Sequence, residues 1–491
     1  MRRVLRLGFG LAFFAGTPAF AADLPSTKAP PLPPPPAFTW TGFYVDGGAG
    51  YGEWAADTTT RLPGSANCAL CIDQIQGGRG LLGRAGAGFD YQFAERFVAG
   101  VFADGTYAGM RGAVQDQAAG LTGNNITQTW SWAAGVRLGM LVTPDLLAYA
   151  NAGFTQSHFT GSDLVRTTDG AESGNSIASF NPDGWFVGGG LETMVAPGWF
   201  WRSEYRMADY GTQTLADSGA AGRLDDIRFR PIVQTVTTSL VYKLGWPGMN
   251  PPAFPGLGFG NLFSDLITPA TGPSIWNGAY IDAGAGYGVW SANTVTRLPN
   301  DLVCVACIDQ RQGGRGVGGR IGFGYDYQLT GKIVAGAFGD FDPAGLSGTI
   351  QDQTAGLTGT IVQHWSWGGG ARLGFLVTPQ ILSYSKFGFT QAHFDGTALL
   401  NSANGIPSGL STQGFTSSGW LLGDGIEAQF APGWFWNVEY RYAQYEAHDI
   451  ASYSAGGPGN TIHFHPEMQS GVAGLVYKFN WSPTAPVEAK Y

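Results

Sequence analysis

The stretch Trp130-Ser131-Trp132-Ala133-Ala134-Gly135-Val136-Arg137-Leu138-Gly139-Met140 alternates without a break. Trp130, Trp132, Ala134, Val136, Leu138 and Met140 fall on one side, and Ser131, Ala133, Gly135, Arg137 and Gly139 on the other. A period of two belongs to a strand whose faces meet different surroundings. A second stretch behaves alike, setting Trp199, Trp201, Tyr205 and Met207 opposite Arg202, Glu204 and Arg206. Here the face that carries the charges is also the face that carries the small residues, as Gly48, Gly50, Gly52, Gly86, Gly88, Gly188 and Gly190 show. A thin, glycine-rich, charged face suits the inside of a narrow barrel, where side chains compete for space, and leaves the apolar face for lipid.

Working outward, eight such segments are expected near residues 42–54, 80–93, 97–110, 126–142, 147–160, 184–196, 199–212 and 230–244. Their connections alternate. Ala94-Glu95-Arg96, Thr143-Pro144-Asp145-Leu146 and Pro197-Gly198 are tight turns, whereas residues 55–79, 111–125, 161–183 and 213–229 read as long polar loops. Short turns at one end and long loops at the other predict a transmembrane antiparallel up-and-down β-barrel. Trp40, Trp54, Trp130, Trp199 and Tyr242 lie near strand ends and are expected in interfacial aromatic girdles.

The same words then recur at an offset of about 236 positions that slips by one near the middle. Gly42-Phe43-Tyr44-Val45-Asp46 returns as Gly278-Ala279-Tyr280-Ile281-Asp282, and Ala196-Pro197-Gly198-Trp199-Phe200-Trp201 as Ala431-Pro432-Gly433-Trp434-Phe435-Trp436. Repeats of this length are whole folding units. Residues 40–245 and 276–480 are therefore read as two units, joined by a Pro/Gly-rich linker at 246–275 and followed by a tail at 481–491. The linker is longer than a tight turn, which favours two tandem eight-stranded barrels; the alternative is one sixteen-stranded barrel.

Composition agrees with a membrane setting. Only 13% of residues are charged, against roughly 25% in soluble domains. Arg2, Arg3 and Arg6, an apolar run from Leu7 to Ala15 and Pro18-Ala19-Phe20-Ala21 form the three regions of a secretory signal peptide over residues 1–21, with a Pro-rich leader at 22–39. The formal net charge of -9 argues against a nucleic-acid partner.

With the strands laid out, the motifs at either end of the repeats carry a resemblance. Ala22-Asp23-Leu24-Pro25, the leader to Pro36, Phe38-Thr39-Trp40-Thr41-Gly42-Phe43-Tyr44 and the close from Tyr477-Lys478-Phe479 to Ala489-Lys490-Tyr491 resemble the small porin-like outer-membrane barrels of the OmpA/opacity-protein superfamily. The resemblance implies residence in the outer membrane and a structural, surface-contact or weak porin role. It also implies outer-membrane lipid, lipopolysaccharide and the barrel assembly machinery as partners. Gly474, Tyr477 and Phe479 are the expected assembly signal, for which Ser239-Leu240-Val241-Tyr242-Lys243-Leu244 of the first repeat is a weaker version.

Candidate functional residues are the charges repeated on the inward face: Arg84/Arg320, Asp90/Asp326, Arg137/Arg372, Glu192/Glu427, Glu204/Glu439 and Arg206/Arg441. In a low-dielectric lumen they must pair or stay hydrated. They read either as an ion-pair ladder that plugs the barrel or as a constriction that passes small solutes by charge. Two exchanges, Arg202 to Asn437 and Asn151 to Lys386, make the lumens electrostatically different, and Asp424 in place of Gly189 falls by parity on the lipid side. Cys68-Ala69-Leu70-Cys71 and Cys304-Val305-Ala306-Cys307 are candidates for local disulfides pinning the first long loop of each repeat. His463 and His465 share one strand face near His448, and His158 and His393 recur beside Phe159 and Phe394; wet or interfacial positions account for them, and no metal or cofactor is expected. No catalytic constellation is assembled. The expected function is an envelope-structural barrel with limited passive diffusion of small solutes; the alternatives are a general porin and an adhesin or ligand-binding protein that works through its loops.

Overall fold

The computed structural model describes residues 39–244, 268–270, 273–298, 310–454 and 457–479, and every regular element among them is a strand. In the first repeat these are β1 (Gly42–Arg61), β2 (Cys68–Phe93), β3 (Phe97–Asp116), β4 (Leu121–Thr143), β5 (Leu146–Phe159), β6 (Ser162–Arg166), β7 (Glu172–Ile177), β8 (Asp183–Ala196), β9 (Trp199–Asp209), β10 (Gln213–Gly219) and β11 (Gly222–Lys243). In the second they are β12 (Gly278–Arg297), β13 (Gln310–Gln328), β14 (Ile333–Asp352), β15 (Leu357–Thr378), β16 (Ile381–Phe394), β17 (Ala398–Asn401), β18 (Pro407–Thr412), β19 (Phe415–Ala431), β20 (Trp434–Tyr445), β21 (His448–Ser454) and β22 (Gly457–Phe479).

Strands β1, β2, β3, β4, β5, β8, β9 and β11 pair in that order, all antiparallel, and β11 returns to β1 with Tyr44 opposite Lys243. The second circuit runs β12, β13, β14, β15, β16, β19, β20, β22 and closes with Tyr280 opposite Lys478. Each repeat therefore closes on itself as an eight-stranded barrel. The sixteen-stranded alternative is overturned, because it needs β1 and β11 to pair across repeats rather than with each other.

Parity decides the faces. Leu81, Tyr107, Val136, Leu138, Phe323 and Phe387 stand out from the wall, while Arg84, Arg137, Glu192 and their counterparts are buried inside. Tight turns close the inner end, and Pro197-Gly198 and Pro432-Gly433 form the same turn twice, with Gly198 and Gly433 in the left-handed conformation that glycine tolerates.

Two expectations need correction. The stretches read as long polar loops are mostly strand: β1 continues to Arg61, β2 begins at Cys68, β3 runs to Asp116, and β6, β7 and β10 fill most of what remains. Polarity there reflects surroundings of water in place of lipid, since side chains such as Thr58, Thr60, Gln74 and Gln76 still alternate on a strand-paired backbone, irregular only around Thr60 on the β2 side. Trp40 and Trp54 also leave the girdle, because both are 0% exposed and lie inside the first barrel. Trp54 shares the parity of Gly48, Gly50 and Gly52, so its strand face is inward although it stands near the end of the membrane-facing part of β1.

The two barrels touch along their outer halves. The β2–β3 ladder stops at Gly78↔Gly112, and the β13–β14 ladder at Gly314↔Gly348. Beyond those points β2 meets β13 directly, with Gln76 opposite Gln312. A Cβ on Gly77 would stand 2.8 Å from the Gln312 carbonyl oxygen, and one on Gly313 2.7 Å from that of Gln76. The contact follows a pseudo-two-fold axis: Gln115 and Gln351, equivalent in the repeat, exchange amide hydrogen bonds of 2.7 and 2.6 Å. Arg79 donates to the Ser291 carbonyl at 3.1 Å, and its equivalent Arg315 donates to the Ala55 carbonyl, also at 3.1 Å.

Candidate functional site: the filled lumens

Each lumen is built in layers. At the inner end of the first barrel, Trp40 donates its indole N–H to the Pro144 carbonyl at 2.9 Å and packs on Phe200 with ring centroids 4.9 Å apart. Trp276, Pro379 and Phe435 repeat this cap, with a 2.9 Å hydrogen bond and a 5.0 Å ring contact. The Lys243 ammonium lies 4.7 Å from the Trp40 ring centre and that of Lys478 4.9 Å from Trp276, so each lysine joins its cap to the charges above.

Above the cap comes the first ion cluster. Arg137 donates to Asp90 through Nε at 2.8 Å and to Glu192 at 2.9 Å. Lys243 reaches Asp90 at 2.7 Å, and Arg202 bridges Glu192 at 2.8 Å to Asp46 at 2.9 Å. A second cluster follows, in which Arg84 pairs with Glu204 at 2.6 Å and Asp104 at 3.0 Å, and Arg206 with the same two carboxylates at 2.8 and 3.0 Å. The Tyr149 hydroxyl and the Asn151 amide both donate to Glu204 at 2.8 Å. Gly100 makes the first cluster fit, since a Cβ there would run into the Asp90 carboxylate and the Arg137 side chain. A cavity of about 30 Å³ among Arg84, Glu204, Arg206 and Tyr210 has room for no more than a water or two.

The second barrel keeps the plan and changes the wiring. Arg372 holds Asp326 at 3.0 Å and also pairs with Glu427, while Lys478 reaches Asp326 at 2.6 Å and Glu427 at 2.9 Å. Arg320 pairs with Glu439 at 2.5 Å and Asp342 at 2.7 Å; Arg441 pairs with Asp340, with Asp342 at 2.9 Å and with Glu439 at 3.0 Å. Where Arg202 has become Asn437, Asn151 has become Lys386, and that ammonium sits 2.7 Å from Glu439. The positive charge has moved one layer outward and remains in the lumen.

An aromatic cluster closes the outer end of the transmembrane part. Trp54 contacts Phe229 and Phe159 at centroid distances of 5.7 and 6.0 Å, and Trp290 contacts Phe464 and Phe394 at 5.6 and 6.1 Å.

Every inward charge named from the sequence takes part in one of these clusters. The same alternation also carries Asp46, Asp104, Lys243, Asp282, Asp340, Asp342 and Lys478, which are not among the candidates named from the sequence; parity with Gly48 or Gly86 is the signal that marks them. Asp424 stays exposed on the outward face without any bulge beside it, where Ser385 donates to it at 2.6 Å. His463 sits 2.7 Å from Asp449, and His448 stacks on Phe415 with centroids 4.6 Å apart. Among the described residues no set of three or more His, Cys, Asp or Glu stands at metal-binding distance. Cys68 is disulfide-bonded. The side chain of Cys71, and Cys304 and Cys307 entirely, lie outside the described residues, as do the expected signal peptide and the Pro-rich leader up to Phe38.

Outside the membrane, the outer hairpins of the first repeat hold a knot of carboxylates. Burial, followed by the neighbouring Asp217, pushes the Asp116 carboxyl up to about 7 against the backbone N–H groups that lower it. Burial and then Asp116 and Asp226 push Asp225 up to about 6. In the second repeat the amide of Asn460 donates to Asp352 at 3.0 Å.

Comparison with known proteins follows the same division. The outer membrane protein beta-barrel domain matches twice, over residues 9–261 and 263–479. The 31 kDa outer-membrane immunogenic protein of Brucella melitensis is 28% identical over 240 residues, covering 47% of this chain and 95% of that protein, and the Brucella suis protein of that description aligns to the same extent. Among solved structures, the outer membrane protein OprG of Pseudomonas aeruginosa covers 42% of this chain and 98% of its own at 13% identity and a TM-score of 0.28. The attachment invasion locus protein Ail of Yersinia pestis covers 41% and 99% at 12% identity and 0.24. The toluene transporter TodX of Pseudomonas putida covers 90% and 91% at 10% identity and 0.23. Scores this low carry no argument about architecture, which rests on the strand pairings.

Proposed function

We propose that this chain, which belongs to the outer membrane protein beta-barrel domain family and resides in the outer membrane as an integral β-barrel protein, is a non-conducting, non-enzymatic envelope protein. Its paired barrels anchor a shared outer β-structure at the cell surface. The observation that carries this reading is the filling of each lumen: paired charges lie between an inner aromatic cap and an outer aromatic cluster, with Asp90, Glu192, Asp326 and Glu427 at most 1% exposed. Charges arranged to pass solutes would face a water-filled bore, whereas here each pairs with its neighbours. The general-porin alternative therefore loses support, and the same paired charges weigh against limited passive diffusion through the barrels. Outer-membrane lipid and lipopolysaccharide are the surroundings proposed for the exposed apolar wall. Tyr477 and Phe479, with Gly474 pressed close to the β12 backbone at Ala283, form the proposed assembly signal.

The test is single-channel recording of the purified mature chain in a planar lipid bilayer. Silence is expected from the unaltered protein and from Arg137→Ala, whose remaining side chains still cap the lumen. Large, regular open steps would establish a pore and overturn the reading.

A further inference from the structure

We infer that one seam between the two barrels binds a phosphate of an outer-leaflet lipid headgroup through the guanidinium groups of Arg111 and Arg311. Arg111 stands opposite Arg79 on the β2–β3 ladder, and Arg311 opposite Asn293 on the β12–β13 ladder. The two meet across the junction, where Arg311 donates to the Arg111 carbonyl. The charges around Arg311 are those of Arg79, Glu467 and Arg111.

Their height on the wall selects the ligand. Leu81, two residues inward of Arg79, is 75% exposed, and Tyr107, four residues inward of Arg111, is 76% exposed. Tyr107 faces Trp130 across the β3–β4 ladder, and Trp130 stacks on His158 with centroids 5.5 Å apart. Exposed aromatic residues of this kind mark the level at which hydrocarbon gives way to headgroups. The arginines begin just outside that level, within reach of lipid phosphate.

Their charge is not spent within the protein. Arg79 donates to Ser291 Oγ at 2.7 Å and pairs with Glu467 at 2.8 Å, and the Tyr442 hydroxyl donates to the other Glu467 oxygen at 2.8 Å. Glu53, opposite Arg79 on β1, is 1% exposed. Three arginines thus face two carboxylates. Arg111 donates through Nε to the Asn124 carbonyl at 3.3 Å, and Arg311 through Nε to Asn293 Oδ1 at 3.0 Å. Among the described residues neither guanidinium has a carboxylate at ion-pair distance, and the terminal nitrogens of the exposed Arg111 have no partner. A guanidinium offers its N–H groups as a planar fork that fits phosphate oxygens.

The seam on the other side of the pseudo-two-fold axis supplies the contrast. There Arg315, the equivalent of Arg79, pairs with Asp57, and Arg230 pairs with Asp209 at 2.5 Å. The equivalents of Arg111 and Arg311 are Ser347 and Ile75. That seam is neutral and internally paired, so the unpaired arginines occur together on one side only.

The test is native mass spectrometry of the full chain, folded in detergent and titrated with bisphosphorylated lipid A, with tryptophan fluorescence confirming that each variant is folded. We expect one bound lipid A, weakened roughly tenfold or more by Arg111→Gln combined with Arg311→Gln. Arg228→Gln, at an exposed arginine on β11, should leave binding unchanged. Dephosphorylated lipid A should bind the unaltered protein no better than it binds the double variant, and excess inorganic phosphate should not displace the intact lipid. No bound lipid A, equal binding by the double variant, an equal loss with Arg228→Gln, or full binding of the dephosphorylated lipid would overturn the inference. Displacement by inorganic phosphate would assign the arginines to the free anion and overturn the lipid as occupant. The seam is separate from both lumens, so channel recording and lipid binding can fail independently.

Discussion

At the residue scale, the exchange between the two lumens is a natural double substitution. Glu192 shares Arg137, Arg202 and Lys243, whereas its counterpart Glu427 shares only Arg372 and Lys478 among the lumen cations. Glu204 has the neutral Asn151 where Glu439 has Lys386. Removing one member of a buried pair leaves its partner uncompensated, which costs about 3–5 kcal/mol. Arg202→Asn alone is therefore expected to destabilise the first barrel by about 3 kcal/mol, and adding Asn151→Lys, which recreates the second barrel's arrangement, to recover most of that. Urea unfolding in detergent micelles, followed by tryptophan fluorescence, measures both. No recovery in the double variant would show that the two sites are independent. This much of the lumen was legible in the sequence, because the alternation around Val136 sets Arg137 apart from the Trp130 face. The choice of partners was not: Arg137 and Glu192 are far apart in the chain, and only closure of the circle brings them to 2.9 Å.

At the scale of the element, the outer hairpins are where the two repeats part most. Asp116 ends β3 and faces Asp217 on β10 and Asp225 on β11, with Arg223 turned to Asp226. A carboxyl whose pKa is raised in the fold binds its proton more tightly there than in the unfolded chain. The stability it contributes is full below the unfolded value of about 4 and is lost as pH rises through about 7. The β10–β11 hairpin is thus expected to exchange its amide hydrogens faster at pH 8 than at pH 5, beyond the intrinsic effect of pH. Asp116→Asn should flatten that difference, and the equivalent β21–β22 hairpin, where burial also raises Asp352, should keep its own pH dependence in that variant. A difference that survives Asp116→Asn places the titration elsewhere. The sequence marked these segments as polar and therefore as loops. Their pairing, with Asp217 opposite Ile177 on one side and Asp225 on the other, depends on neighbours that local pattern does not contain.

At the scale of the whole molecule, the barrels pack through outward residues that would be costly in lipid. Arg79 meets Glu467 at 2.8 Å with both side chains 9% exposed, Arg315 meets Asp57, and Tyr51 meets Tyr442 edge-on at 5.9 Å. The charges are not copies of one another: Asp57 corresponds to Asn293, so the surfaces are complementary across the repeat. With a protease site placed in the linker, the two halves of the cleaved protein are expected to stay together through gel filtration in mild detergent. Gly77→Val should separate them, because its side chain would meet the Gln312 backbone. Halves that separate without the substitution would show that the linker alone holds the pair.

By itself the sequence determined the number of units, the eight wall strands of each in their membrane-facing parts, and the face that most residues there take, because alternation and repetition are local and survive without a partner; the outer strand extensions and the inward place of Trp40 and Trp54 it did not. Closure into two circles, the pairing of charges within each lumen and the junction at Gln76 and Gln312 belonged to tertiary structure alone. The ladder from β11 to β1 spans nearly a whole repeat, and parity says which face a charge is on without saying which charge stands opposite.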